Sequence, residues 1–218
     1  MTKVKKPQWP FYAVWIILTG LCVPAALFFF TPIVALVINK ITGGYIYVDG
    51  VQGIAEDSLG IYFLVPMIGL LIGFVQYGLL RRFIADIGWW VPATVLSWVL
   101  LLLGNTLIQF GLVEAPYEPS SIDVNFLLLG LSIGIGQWLV LRGRVSQAGW
   151  WIAANVAGWG LLGLIIANAD HWGLEALILG STSGQFVAWA LWLLPGCTTA
   201  VTLAIFFNQN LEAELQAV

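Results

Sequence analysis

Charge is what this chain has least of. Lys, Arg, Asp and Glu make up 9% of its 218 residues, against roughly 25% in an ordinary soluble domain. With 60% hydrophobic residues and a mean hydropathy of +0.94, that deficit excludes a soluble globular protein and leaves an integral membrane protein. There is one histidine, His171, and there are two cysteines, Cys22 and Cys197, both in apolar stretches. The sequence therefore shows neither a metal-ligand cluster nor a disulfide framework. Acidic residues avoid the depths of the apolar runs: Asp57, Asp123 and Glu175 all fall at margins. Proton relays of coupled transporters and pumps need intramembrane acids or histidines, so that class is disfavoured. A net charge of −3, with no basic cluster interleaved with aromatics, excludes nucleic acid as a partner.

What is present is apolar sequence in long blocks. Six runs lie near 11–39, 59–80, 88–112, 124–141, 149–168 and 174–194, each close to the length that carries a helix across a hydrocarbon core about 30 Å thick. They are continuously apolar, without the alternation of a membrane barrel, so helices must satisfy the backbone. The expected fold class is an all-α, polytopic transmembrane bundle of about six helices. The first run follows Lys3, Lys5 and Lys6 and is about twice as long as the apolar part of a signal peptide, so it is expected to stay as a helix. The last apolar run, 197–208, is read as too short to span: a re-entrant piece, an interfacial helix or an extension of helix six. Cations fall on one side, at Lys3, Lys5, Lys6, Arg81, Arg82, Arg142 and Arg144, leaving Lys40 opposite, which puts the amino terminus in the cytoplasm. In the loop 41–58, alternation around Asp49-Gly50 reads as a small hairpin cap. Pro24 and Pro32 are expected to bend the first helix.

One stretch is written twice. Gly73-Phe-Val-Gln76-Tyr-Gly-Leu-Leu80-Arg81 followed by Gly88-Trp89-Trp90 returns, 61 residues on, as Gly134-Ile-Gly-Gln137-Trp-Leu-Val-Leu141-Arg142 followed by Gly149-Trp150-Trp151. Each copy, 62–112 and 123–168, reads as a helix descending to an Arg-bearing turn and a helix returning from a Gly-Trp-Trp start. Copies running in the same sense are parallel repeats about an axis along the membrane normal. Small-residue pairs at Gly69/Gly73, Gly130/Gly134 and Gly180/Gly184 suggest a degenerate third copy over 173–208, beside which helix one would close a ring.

Candidate functional residues come from these copies. Gln76 and Gln137 lie about 7.5 Å inside the boundary and need partners, as bundle glue or as ligand contacts. Arg81 and Arg142 sit at helix ends at headgroup depth, where they cap and orient the helices or gather anionic lipid. Trp89, Trp90, Trp150 and Trp151 fit an interfacial aromatic belt. Spacing by four places Trp90, Thr94 and Trp98 on one stripe, and Trp151, Asn155 and Trp159 on its duplicate. Facing inward, these stripes would enclose a flat apolar molecule such as a quinone, carotenoid or porphyrin; facing a neighbouring helix, they are packing. His171 reads as a solvated loop residue or a single axial ligand to a pigment. Gly180-Ser-Thr-Ser183-Gly184 lacks a facing histidine and is rejected as a nucleophile turn.

The paired pattern G-x-x-Q-[WY]-x-x-L-R followed by G-W-W resembles a group of uncharacterised Gly- and Trp-rich bacterial membrane proteins with a recurring Gln-Trp-Leu-Val-Leu-Arg segment. Gln137 to Arg142 fits it, and the first copy departs at Tyr77 and Gly78. The resemblance implies a bacterial inner membrane and the bundle architecture, and brings no activity, cofactor or site. The functional expectation is a non-enzymatic subunit or scaffold, in contact with the lipid bilayer and other membrane protein subunits, holding lipid or an apolar cofactor. The alternative is a facilitative channel or permease for a small neutral solute, lined by Gln76, Gln137 and Asn155.

Overall fold

A computed structural model describes residues 7–48, 51–109, 122–169, 171–172 and 189–216. Six helices dominate it: α1 Trp9–Thr42, α2 Ala55–Leu80, α3 Trp90–Gln109, α4 Ile122–Leu141, α5 Trp150–Ala167 and α6 Leu194–Gln216. The expected all-helical bundle is what forms. Its one sheet among the described residues is the anticipated hairpin, β1 Tyr45–Val48 against β2 Val51–Ile54, antiparallel with Val48 opposite Val51. Trp9–Thr42, Leu59–Leu80, Trp150–Ala167 and Trp189–Gln209 are long and apolar enough to cross a membrane, and Trp90–Gly104 and Asn125–Leu141 are shorter apolar helices. The chain is a membrane protein.

Helix starts and stops follow local chemistry. Pro10 stands in the first turn of α1, where a missing backbone N–H costs nothing, and Gly43 ends the helix in the left-handed region at φ 70°. Pro24 and Pro32 lie inside α1, which runs uninterrupted through 34 residues. At 1.5 Å per residue that is about 51 Å, well over a hydrocarbon core of about 30 Å, so α1 tilts or projects. The turns after α2 and α4 match: Ile84 and Val145 N–H each bond the carbonyl four residues back, from Leu80 and Leu141. Asp86 and Gln147 each take a left-handed backbone, φ 57° and 56°.

One sequence reading changes here. The run 197–208, taken as too short to span, belongs to α6 and to an apolar stretch from Trp189 to Gln209. Pro195 is the second residue of α6, in the first turn, where a missing backbone N–H costs nothing. The expected sixth span, 174–194, with Gly180/Gly184, lies outside the described residues except at its end.

The helices form a closed ring in chain order, each packed on the next, with α6 returning to α1. Phe11 of α1 and Phe207 of α6 both meet Phe83, in the turn after α2, at ring-centroid distances of 4.8 and 5.6 Å. The start of α1 and the lower part of α6 therefore share one end of the ring with the arginine-bearing turns. The β1–β2 hairpin occupies the other. Consequently α2, α4 and α6 run toward the arginine end, and α1, α3 and α5 run away from it. Core side chains fall into two clusters: one near the arginine end around Trp15, Leu80, Trp90, Leu141, Trp151, Leu203 and Phe206, and one farther along around Ile68, Trp98, Leu129, Trp159 and Leu162.

Close crossings hold each pair of helices together. A Cβ added at Gly134 would stand 2.9 Å from Ile152 Cα, and one at Gly73 would stand 3.2 Å from Val91 Cα. Around Gly143, in the turn after α4, nothing lies within 4 Å. Gly134→Val is therefore expected to lower stability by about 1–3 kcal/mol, read as a drop in melting temperature in detergent, while Gly143→Ala leaves it unchanged. Equal melting of the two variants would contradict the packing.

Candidate functional site

Buried polar side chains lie between the two apolar clusters, and an amide or hydroxyl placed there must find its partner inside the protein. Trp90 Nε1 donates to Gln76 Oε1 at 3.2 Å, and Trp151 Nε1 donates to Gln137 Oε1 at 2.8 Å. Each pair joins the two helices of one hairpin. Gln137 Nε2 then donates to Gln76 Oε1 and to Thr94 Oγ1, both at 2.9 Å, which ties the two hairpins together across the ring. Thr94 accepts from Gln137 and donates to the Trp90 carbonyl, while Asn155 donates to the Trp151 carbonyl. Between α3 and α4, Ser97 Oγ donates to the Ser132 carbonyl at 2.9 Å and Ser132 Oγ to the Ser97 carbonyl at 3.1 Å. Bonds of this kind contribute about 0.6–2 kcal/mol each in a membrane bundle.

The sequence-selected residues divide accordingly. Gln76, Gln137, Trp90, Thr94, Trp151 and Asn155 come together in this network. Trp98 and Trp159 sit one layer farther from the arginine end, in edge-to-face contact at 5.5 Å. Trp90 and Trp151 meet likewise at 5.6 Å. The duplicate stripes thus face inward but touch each other, leaving no slot for a flat molecule between them. The belt reading also splits: Trp89 and Trp150 are 73% and 62% exposed, whereas Trp90 and Trp151 are fully buried. Neighbouring residues on a helix point about 100° apart, so one indole of each pair takes the outside and the other the core.

Arg81 and Arg142 lie apart from the network, exposed at the ring end, each guanidinium over a ring of its own helix, Tyr77 at 5.8 Å and Trp138 at 5.7 Å. The guanidinium that reaches a last-turn carbonyl is that of Arg144, which donates to Val140. His171 is exposed.

Ser97 and Ser132 escaped the sequence reading, and so did a separate indole bond between α1 and α6. Trp15 of α1, fully buried, donates its Nε1–H to Thr199 Oγ1 of α6 at 3.0 Å, and Thr199 donates to the Pro195 carbonyl at 2.7 Å. The surrounding spacing is that of the two hairpins. Gly73, Gln76 and Leu80 correspond to Gly134, Gln137 and Leu141, and again to Gly196, Thr199 and Leu203. All three leucines are fully buried. A Cβ on Gly196 would stand 3.1 Å from Ile16 Cα, the residue after Trp15, just as Gly73 and Gly134 meet the residues after Trp90 and Trp151. Thr19 lies four residues past Trp15, as Thr94 and Asn155 do past their tryptophans. The signal was a Gly-x-x-polar-x-x-x-Leu spacing at 196–203, hidden because threonine replaces glutamine.

Beyond the Trp98 layer the interior opens into a cavity of about 550 Å³ between α1, α2, α3 and α4, with Trp192 in its wall. Its lining is almost wholly apolar, with Thr31 and Asn125 as the polar exceptions. Trp98 Nε1 and Thr19 Oγ1 are buried without a hydrogen-bond partner.

No family model matches the chain, and no curated protein or solved structure matches it.

Gln137→Leu should leave the Trp151 N–H stranded and release Gln76 and Thr94, lowering stability by about 1–3 kcal/mol. A double-mutant cycle of Gln137→Leu with Trp151→Phe is expected to show coupling of at least about 0.5 kcal/mol in detergent unfolding. Strict additivity would mean that the 2.8 Å bond contributes nothing.

Proposed function

We propose that this protein is a non-enzymatic membrane subunit or scaffold, a ring of three like hairpins that holds a lipid or apolar cofactor and packs against other membrane proteins. The third hairpin in this reading is α6 with α1, split between the two ends of the chain, in place of the 173–208 segment expected from glycine spacing. The observation that carries the proposal is how the interior polar groups are used. The side chains of Gln76, Gln137, Trp90, Trp151, Thr94 and Asn155 bond to one another or to the chain, and the space left over is apolar. A chemical step needs polar groups free to meet a substrate; a framework needs them engaged.

The channel alternative asks more of the same residues. A path lined by Gln76, Gln137 and Asn155 requires the indole contact at 5.6 Å and the amide bonds to part. Broad exposed apolar surface supports a role in contact with lipid and neighbours: Phe28, Phe29, Ile33 and Leu36 on α1, and Leu96, Leu100 and Leu103 on α3.

The direct test is native mass spectrometry of protein extracted in mild detergent, with absorption spectra of the same sample. The expected result is a complex carrying protein or apolar small-molecule partners. A lone, ligand-free monomer that carries a neutral solute into liposomes would overturn the proposal. In the membrane, cysteines introduced at Gly143 and Gly44 should label from opposite faces, Gly143 from the cytoplasmic one. Labelling from one face alone would refute the arrangement.

A further inference from the structure

The two sequence-repeat hairpins meet along the seam between α3 and α4, and on the outside of the ring that seam is a groove of about 550 Å³. Trp89, Ala93, Leu96 and Leu100 recur at three- and four-residue spacing and so form one wall. Small residues keep its bottom open: Gly136 has no side chain, and a Cβ there would stand 3.1 Å from the Ala93 carbonyl oxygen. The Ser97 and Ser132 hydroxyls below are spent on each other's backbone carbonyls. Leu96 and Leu100 on one lip, and Ile135 and Leu139 on the other, are all exposed, so the groove opens toward hydrocarbon and away from the ring interior.

The two ends of the groove differ. At the arginine end stand Trp89 and Arg144, both exposed, and Arg144 is the one charged side chain in the lining. Its guanidinium donates to the Val140 carbonyl and meets no carboxylate among the described residues, which leaves further donors of its five for a ligand. Trp89 to Leu100 spans about 16 Å of chain at 1.5 Å per residue, close to half of a hydrocarbon core about 30 Å thick. A groove one leaflet deep, with a cation at its headgroup end, has the length and polarity of a phospholipid. A headgroup ammonium would find no counter-charge in this lining, whereas a lipid of net negative charge finds Arg144.

We propose that the α3–α4 groove binds one anionic phospholipid from the leaflet at the arginine end. The lipid phosphate accepts a forked pair of hydrogen bonds from Arg144, and the Trp89 indole lies at the level of the glycerol and ester groups. One acyl chain follows the seam past Leu96 and Leu139 to Leu100. The leaflet agrees with this choice, because anionic lipids gather on the cytoplasmic side, where the arginines are expected. The site rests on the reading of a framework that holds a lipid, and it supplies that lipid's class and place.

The test adds dioleoylphosphatidylglycerol or dioleoylphosphatidylethanolamine to the delipidated full-length protein in detergent and follows bound lipid by native mass spectrometry. The anionic lipid should bind at least about fivefold more tightly than the zwitterionic one. Arg144→Gln should cut that preference to less than about twofold. Arg144→Lys, which keeps the charge, should retain a preference above that of Arg144→Gln, which separates loss of charge from loss of fold. Lys40→Gln, the same charge change at the opposite end of the ring, should leave the preference whole. A phosphatidylglycerol carrying a diazirine on its acyl chain should crosslink to 89–100 and 132–144, and Ile135→Trp, which fills the groove from its lip, should suppress those crosslinks. Equal affinity for the two lipids, an undiminished preference in Arg144→Gln, or crosslinks spread evenly onto the exposed α1 face around Phe28 and Leu36 would each overturn the proposal. None of these results touches copurifying proteins or apolar cofactors, so failure of the site is distinguishable from failure of the framework reading.

Discussion

The bond from a buried indole to a side-chain oxygen on the facing helix governs this structure. In hydrocarbon no water waits to take an N–H, so Trp90 and Trp151 must reach Gln76 and Gln137, and Trp15 must reach Thr199. That demand sets the distance between the paired helices, and the distance in turn requires glycine three residues before each acceptor. The leucine four residues after the acceptor then closes the next turn. Three helix pairs carry such a bond, and the Gln137–Gln76 amide bond together with the Ser97–Ser132 pair joins two of them.

A second consequence is the contrast between the two halves of the interior. Near the arginine end, indoles, amides and phenyl rings fill the space: Trp15 and Trp151 approach to 6.1 Å and Phe206 packs on Trp151. Past Trp98 the same helices leave a cavity. The half near the arginine end is therefore fixed by several directional bonds, whereas past Trp98 the described residues leave space between mostly apolar side chains, with the Thr106–Tyr62 hydroxyl bond joining α3 to α2.

Much of the frame was legible in the sequence, because long apolar runs bounded by charge or turn residues admit few readings in a membrane. The run 124–141 became Ile122–Leu141, and 149–168 became Trp150–Ala167. The alternation around Asp49-Gly50 gave a two-stranded hairpin, with those two residues themselves outside the described ones. The amide pairing was also within reach, since a glutamine at that depth needs a partner and its matched copy was a natural one. Three things were not legible. Pro195 can end one helix or begin another, and local sequence does not choose. Two adjacent tryptophans look alike until a helix axis is placed, so the burial of Trp90 and Trp151 beside exposed Trp89 and Trp150 stayed hidden. The Trp15–Thr199 bond joins residues 184 positions apart, with threonine where glutamine stands elsewhere, and only the folded chain brings that spacing to notice.

The closure between α1 and α6 has a bearing on biogenesis. The ribosome delivers α1 before α6, so Trp15 enters the bilayer long before Thr199, 184 residues on, has been made. Until α6 is made, α1 carries an indole whose final acceptor does not yet exist, and the helices before it stay an open arc. The arc shuts when α6 reaches α1, which makes the meeting of those two helices, rather than insertion of any single one, the event that closes the ring.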